Sequence, residues 1–72
     1  MNWIPLASSV AQAAAYDPMA QTIFIRRWQG EVWAFEQCGP EIWSAFMVEG
    51  ISKGEYISHV LERRPYRQVR TV

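Results

Sequence analysis

Apolar residues first bunch at strand spacing along this chain and then recur at helix spacing. Gln21 to Trp28 carries the strongest strand signal, because Thr22, Ile23, Phe24 and Ile25 are all β-formers. Glu31 to Glu36 follows across Gln29-Gly30, a tight hairpin signal, and Trp33 and Phe35 there share one face. Val10 to Tyr16 alternates small and larger residues and predicts a strand packed closely by a neighbour. Asp17-Pro18 opens the turn between this strand and the next. Ile23 and Ile25 lie on one face of the central strand, Phe24 and Trp28 on the other. Only one of these pairs can meet a helical layer, so aromatic bulk must also lie on the far side of a thin sheet.

The spacing then changes. Gly39-Pro40 begins a helix with proline at or near its first position and Glu41 in its first turn. Ile42, Trp43, Phe46 and Met47 form its buried stripe, and Gly50 is placed to end it in a left-handed conformation. Ser52 caps a second helix, with Glu55 three places on where a capping box requires it. Tyr56, Ile57, Val60 and Leu61 put one face of that helix against a core, and Pro65 stops it. The predicted fold is α+β: a three-stranded antiparallel meander covered on one face by two short helices. A short fourth strand from Tyr66 to Val69, along one edge, is compatible with the pattern.

Composition fits one small domain spanning residues 1–72. A chain of 72 residues is close to the lower limit for a self-sufficient core. Four Trp, three Tyr and three Phe compensate, each able to bury roughly 150–250 Å². One cysteine cannot form an internal disulfide, which suits a reducing cytoplasm. No apolar run reaches the length of a membrane span, and the start lacks the basic region of a signal peptide.

The zero net charge hides an asymmetry. Residues 1–62 set seven acids against Arg26, Arg27 and Lys53, a balance of −4. Residues 63–72 hold Arg63, Arg64, Arg67 and Arg70 with no acid, a balance of +4. Such a tail is either a solvated terminus or an electrostatic handle for an anionic partner. At the other end, residues 1–7 form an apolar arm in which Trp3, Ile4 and Leu6 surround Pro5. The arm either folds back on the sheet or docks on a partner, tryptophan being enriched at binding hot spots. Partner binding is therefore expected from Trp3, Ile4 and Leu6 as apolar anchors. Arg63, Arg64, Arg67 and Arg70 would steer, and Arg26 and Arg27 beside Trp28 form a second surface.

Catalytic signals are sparse. Cys38 and His59 are single, and a nucleophile with its base needs both plus an orienting acid. A helix start beside Cys38 can lower a thiol pKa, but a lone turn cysteine is normally a packing residue. One Cys and one His do not approach a metal site, and the four glycines are isolated, so no phosphate loop is present. The expectation is no enzyme, no cofactor and no metal.

Ser8-Ser9, Tyr16-Asp17-Pro18, the Gly30 hairpin, Cys38-Gly39-Pro40 and Ser52-Lys53-Gly54-Glu55-Tyr56 occur in an order that resembles the KTSC domain. That small module is often found alone in bacterial and phage proteins. The resemblance runs from Leu6 to Val69. Trp33 and Phe35 depart from it where tyrosines are common, and Cys38-Gly39-Pro40 where a Val-Pro pair is common. The family has no assigned catalytic activity. In size and in its Met-Asn-aromatic-Ile-Pro opening the chain also resembles the small transcription regulators of lytic Xanthomonas phages. This resemblance implies a regulator in the host bacterial cytoplasm that binds host RNA polymerase, inhibits initiation and supports antitermination with the host factor NusA, with contact to RNA through the tail. Two other functions fit the residues. One is a nucleic-acid-binding module, in which arginines and an interleaved Tyr66 engage phosphates and bases. The other is a phage protein that sequesters an anionic small molecule, with Arg26 and Arg27 converging across an oligomer interface.

Overall fold

Residues 1–70 are described by a computed structural model. Five strands follow one another as a single antiparallel meander: β1 Ile4–Pro5, β2 Ala13–Asp17, β3 Thr22–Arg26, β4 Val32–Phe35 and β5 Tyr66–Val69. Between β4 and β5 run helix α1, Pro40–Phe46, helix α2, Lys53–His59, and a 3₁₀ turn, Leu61–Arg63. The fold is α+β with an antiparallel sheet and two helices, as the pattern predicts.

Register decides which side chains meet the helices. Tyr16 pairs with Ile23 and Ile23 with Phe35, while Ala14 pairs with Ile25 and Ile25 with Trp33. Cross-strand partners share a face, so these six residues form the inner side of the sheet. They pack with Leu6, Ala11, Cys38, Phe46, Ile57 and Leu61 into one core. The predicted stripes meet the core: Phe46 and Ile57 in the helices and Leu61 in the 3₁₀ turn are buried, and Ile42, Trp43, Met47, Tyr56 and Val60 lean on it.

The sheet has five strands where the pattern predicts three and a possible fourth. The tail is not a free appendage: β5 occupies Tyr66–Val69, paired with β4 from Phe35↔Tyr66 to Val32↔Val69, and Arg63 lies in the 3₁₀ turn. Thr71 and Val72 of that predicted tail lie outside the described residues. The arm is not free either. Ile4 pairs with Ala14, Pro5 with Ala13, and the Leu6 N–H donates to the Gln12 carbonyl at 3.0 Å. Two residues that include a proline show no alternation, so β1 has no local strand signature.

Turn chemistry sets the other boundaries. Asp17 Oδ1 accepts from the N–H groups of Met19 and Ala20, which fixes the β2–β3 turn. The β3–β4 hairpin is not a two-residue Gln29-Gly30 turn. Arg27 donates to the Glu31 carbonyl and Gly30 to the Arg27 carbonyl, with Gly30 at φ 98°, a longer loop in which glycine takes the left-handed position. Helix α1 ends at Phe46 rather than running to Gly50, whose φ of 94° serves the α1–α2 link instead. Helix α2 ends at His59, and the chain tightens into the 3₁₀ turn before it reaches Pro65.

Candidate functional site

The sequence motifs turn out to hold the fold together. Ser52 Oγ accepts from the Glu55 N–H at 3.3 Å, capping α2. Lys53 points back to α1, where its Nζ donates to the carbonyls of Phe46 and Val48 and sits 5.1 Å from the Phe46 ring centre. Desolvation pushes its pKa down. Gly54 leaves room for Val10, since a Cβ there would stand 3.2 Å from Val10 Cγ2. Tyr56 donates to the Ile42 carbonyl at 3.0 Å, tying the two helices together. Tyr16 donates to the Cys38 carbonyl at 2.7 Å and stacks on Trp43 at 5.2 Å, tying the sheet to the start of α1. Ser8 Oγ accepts from the Val10 N–H, and the Ser8 carbonyl accepts from Trp28 Nε1 at 3.0 Å.

Cys38 is fully buried, and burial pushes its thiol pKa up. The helix start beside it therefore does not produce the activated thiolate that its position suggested. His59 lies on the rim of a groove of about 480 Å³ between the helices, floored by Ala45, Val48, Ile51, Tyr56 and Val60. The two side chains belong to different parts of the molecule, one in the core and one on the helical surface.

The nine residues expected to bind a partner are dispersed. Leu6 is 8% exposed and belongs to the core, so it is not available as an anchor. Arg64 is committed internally, donating to the carbonyls of Gln37 and Val60 and locking the 3₁₀ turn to the segment before α1. Arg26, the last residue of β3, and Arg27, just beyond it, do not converge: Arg26 stacks on Trp3. Arg27 lines a small recess with Val10, Gly54, Ile57, Ser58 and Glu62. Ile4 lies exposed on β1, and Arg63 and Arg70 are exposed at either end of the β5 segment.

Trp3 and Arg26 meet on the outer face of the sheet, which carries no helix among the described residues, and Arg67 lies on the same face at the β5 edge. Ala15, Phe24, Ala34 and Arg67 form one cross-strand row, and Pro5, Ala13, Arg26, Val32 and Val69 form the next. The Arg26 guanidinium stacks 4.2 Å from the Trp3 ring centre. Phe24 stands half-buried between the small side chains of Ala15 and Ala34. Arg67 Nε pairs with Glu36 Oε2 at 3.2 Å. The sequence showed that aromatic bulk must reach this face but not which residues; the register selects Phe24. Glu36 gave no signal, because it meets Arg67 only when β5 joins the sheet.

On the inner face at the same edge, Tyr66 packs against Trp33 at 5.8 Å and Phe35 at 5.4 Å while remaining 49% exposed. Trp33 Nε1 is buried there without an acceptor among the described residues.

A five-stranded meander backed by two helices, with its motif residues engaged in capping and packing, defines a small α+β module. Its architecture matches a solved structure, the KTSC domain protein of Yersinia pestis, with a TM-score of 0.84 and 24% identity over 96% of this chain and 97% of that one. At that identity the likeness establishes the fold. No protein-family model and no curated protein matches the chain.

Proposed function

We propose that this chain is a non-catalytic regulator that docks on a large protein through the outer face of its sheet, host RNA polymerase being the partner that the sequence resemblance names. The observation that carries the reading is the Trp3–Arg26 pair, held at 4.2 Å beside Phe24 on a face without a helix. Trp and Arg are the residue types most enriched at interface hot spots. An arginine already stacked on an indole needs less ordering to meet a partner, so less affinity is lost on binding. Charge favours protein over nucleic acid: the net charge is zero, Arg26 lies on Trp3, and Arg67 is paired with Glu36. Inhibition of initiation and cooperation with NusA in antitermination complete the proposal by resemblance.

Surface plasmon resonance against purified bacterial RNA polymerase at two ionic strengths tests it. Trp3→Ala should speed dissociation at both, by a factor equivalent to about 2 kcal/mol, with folding checked by circular dichroism. Unchanged binding by Trp3→Ala and Phe24→Ala would remove the outer face from the interface. Tight binding to RNA alone, falling about one log unit per log unit of salt for each phosphate contact, would support the nucleic-acid alternative.

A further inference from the structure

The two edges of the sheet are finished differently. In an antiparallel pair, residues alternate between exchanging backbone hydrogen bonds with their partner and pointing those groups away from it. Leu6 bonds Gln12 across β1 and β2, so Ile4 faces Ala14 and the outward positions of β1 are Trp3 and Pro5. Pro5 has no N–H to offer, a common way of closing a sheet edge. At the other edge Glu36 donates to the Pro65 carbonyl at 2.8 Å. The alternation then turns Arg67 and Val69 toward β4, and Tyr66 and Gln68 outward. Arg27 bonding Glu31 across β3 and β4 gives the same phase independently. Tyr66 and Gln68 therefore present two N–H and two C=O groups along an edge that no other described strand covers, with no proline among the four residues of β5.

Charge indicates what pairs there. Residues 63–70 contain no acid, and Arg63, Arg67 and Arg70 are exposed along this segment. Arg67 projects to the outer side of the strand, and its exposed bond to Glu36 can exchange for another carboxylate at little cost. Tyr66 offers a half-exposed ring on the inner side. A second copy of the chain is a poor occupant. Face-preserving antiparallel registers would bring the arginine-bearing edges of two copies together, and like charges across strands destabilise pairing.

We propose that the open edge of β5 takes up an extended acidic segment of a partner protein as a sixth strand. Side chains of that segment would alternate, acidic toward Arg67 and apolar toward Tyr66. The proposal rests on the reading of the chain as a protein-binding module, but not on polymerase as the partner or on the outer face as the site. The recognition is strand addition, in which main-chain bonds give affinity and alternate side chains give specificity.

The probe is a capped heptapeptide alternating Glu with Val, titrated into the ¹⁵N-labelled protein and compared with its Lys-Val counterpart. The acidic peptide should shift the Tyr66 and Gln68 amides and slow their exchange, leaving Arg67 and Val69, already bonded to β4, largely unchanged. Gln68→Pro removes one outward N–H and should abolish the effect. Should that variant lose its fold, Arg67→Glu serves instead, weakening the acidic peptide roughly tenfold and improving the Lys-Val peptide. Equal binding of both peptides, or no binding at millimolar concentration, would overturn the proposal. So would protection of Tyr66 and Gln68 that rises with protein concentration in the absence of peptide, since that would assign the edge to a second copy. Polymerase binding in the preceding experiment is scored separately, so either result can fail alone.

Discussion

Lys53 turns its charge inward. A lysine at the first position of a helix opposes the dipole of that helix, and α2 tolerates it because the side chain leaves α2 and closes the carbonyl end of α1. This is why α1 can stop at Phe46, several residues before the glycine that local rules favour. Gly54 follows a similar logic, since its lack of a side chain answers to Val10 and not to its own helix. Alanine is the better helix former by about 0.5–1 kcal/mol, but its Cβ would press on Val10. Gly54→Ala should therefore be close to neutral alone and stabilising by roughly that amount when combined with Val10→Ala. Urea denaturation of the four members of this cycle measures the coupling, and strict additivity would show that the contact is immaterial.

Two tyrosines join the elements to one another, Tyr16 linking β2 to the start of α1 and Tyr56 linking α2 to α1. Each donates its hydroxyl proton to a backbone carbonyl, and burial is the largest cause raising the pKa of both. A folded-state pKa above the unfolded value of about 10 means that their stabilisation is complete below that pH and is lost as pH rises through the folded values. Thermal unfolding followed by circular dichroism should show stability falling from about pH 10 upward, less steeply in Tyr16→Phe. An equal slope in Tyr16→Phe would place the alkaline loss elsewhere. At this scale the sequence was informative wherever pattern was local. Thr22 to Ile25, the Ser52 cap and the Ile57/Leu61 stripe carry their structure within a few residues. It was silent where structure came from a distant partner. β1 exists because Ala14 offers it a ladder, and the Glu36–Arg67 pair exists because β5 closes on β4. The contact residues read from composition were dispersed for the same reason: Leu6 and Arg64 have chemistry suited to binding, but the fold uses them itself.

For the molecule as a whole, the meander keeps every strand beside its sequence neighbour, and only the β4–β5 pairing spans the helical segment. Proteins rich in such local contacts fold quickly, whereas pairings across long loops form late. Strand β5, translated only after both helices, is thus the one that covers β4. Before it arrives, the rim of the sheet is Val32-Trp33-Ala34-Phe35, four apolar residues with no charge and no proline among them. That composition is a template for intermolecular pairing. A chain ending at Pro65 should expose it and aggregate, visible by sedimentation and thioflavin fluorescence, where the chain of residues 1–72 stays dispersed. Retention of a monomeric fold by the shortened chain would refute this. Strand β5, with its arginine, then serves the nascent protein as a gatekeeper, replacing a sticky margin with a charged one. Loss of four strand residues would thus convert a folded product into an aggregating one.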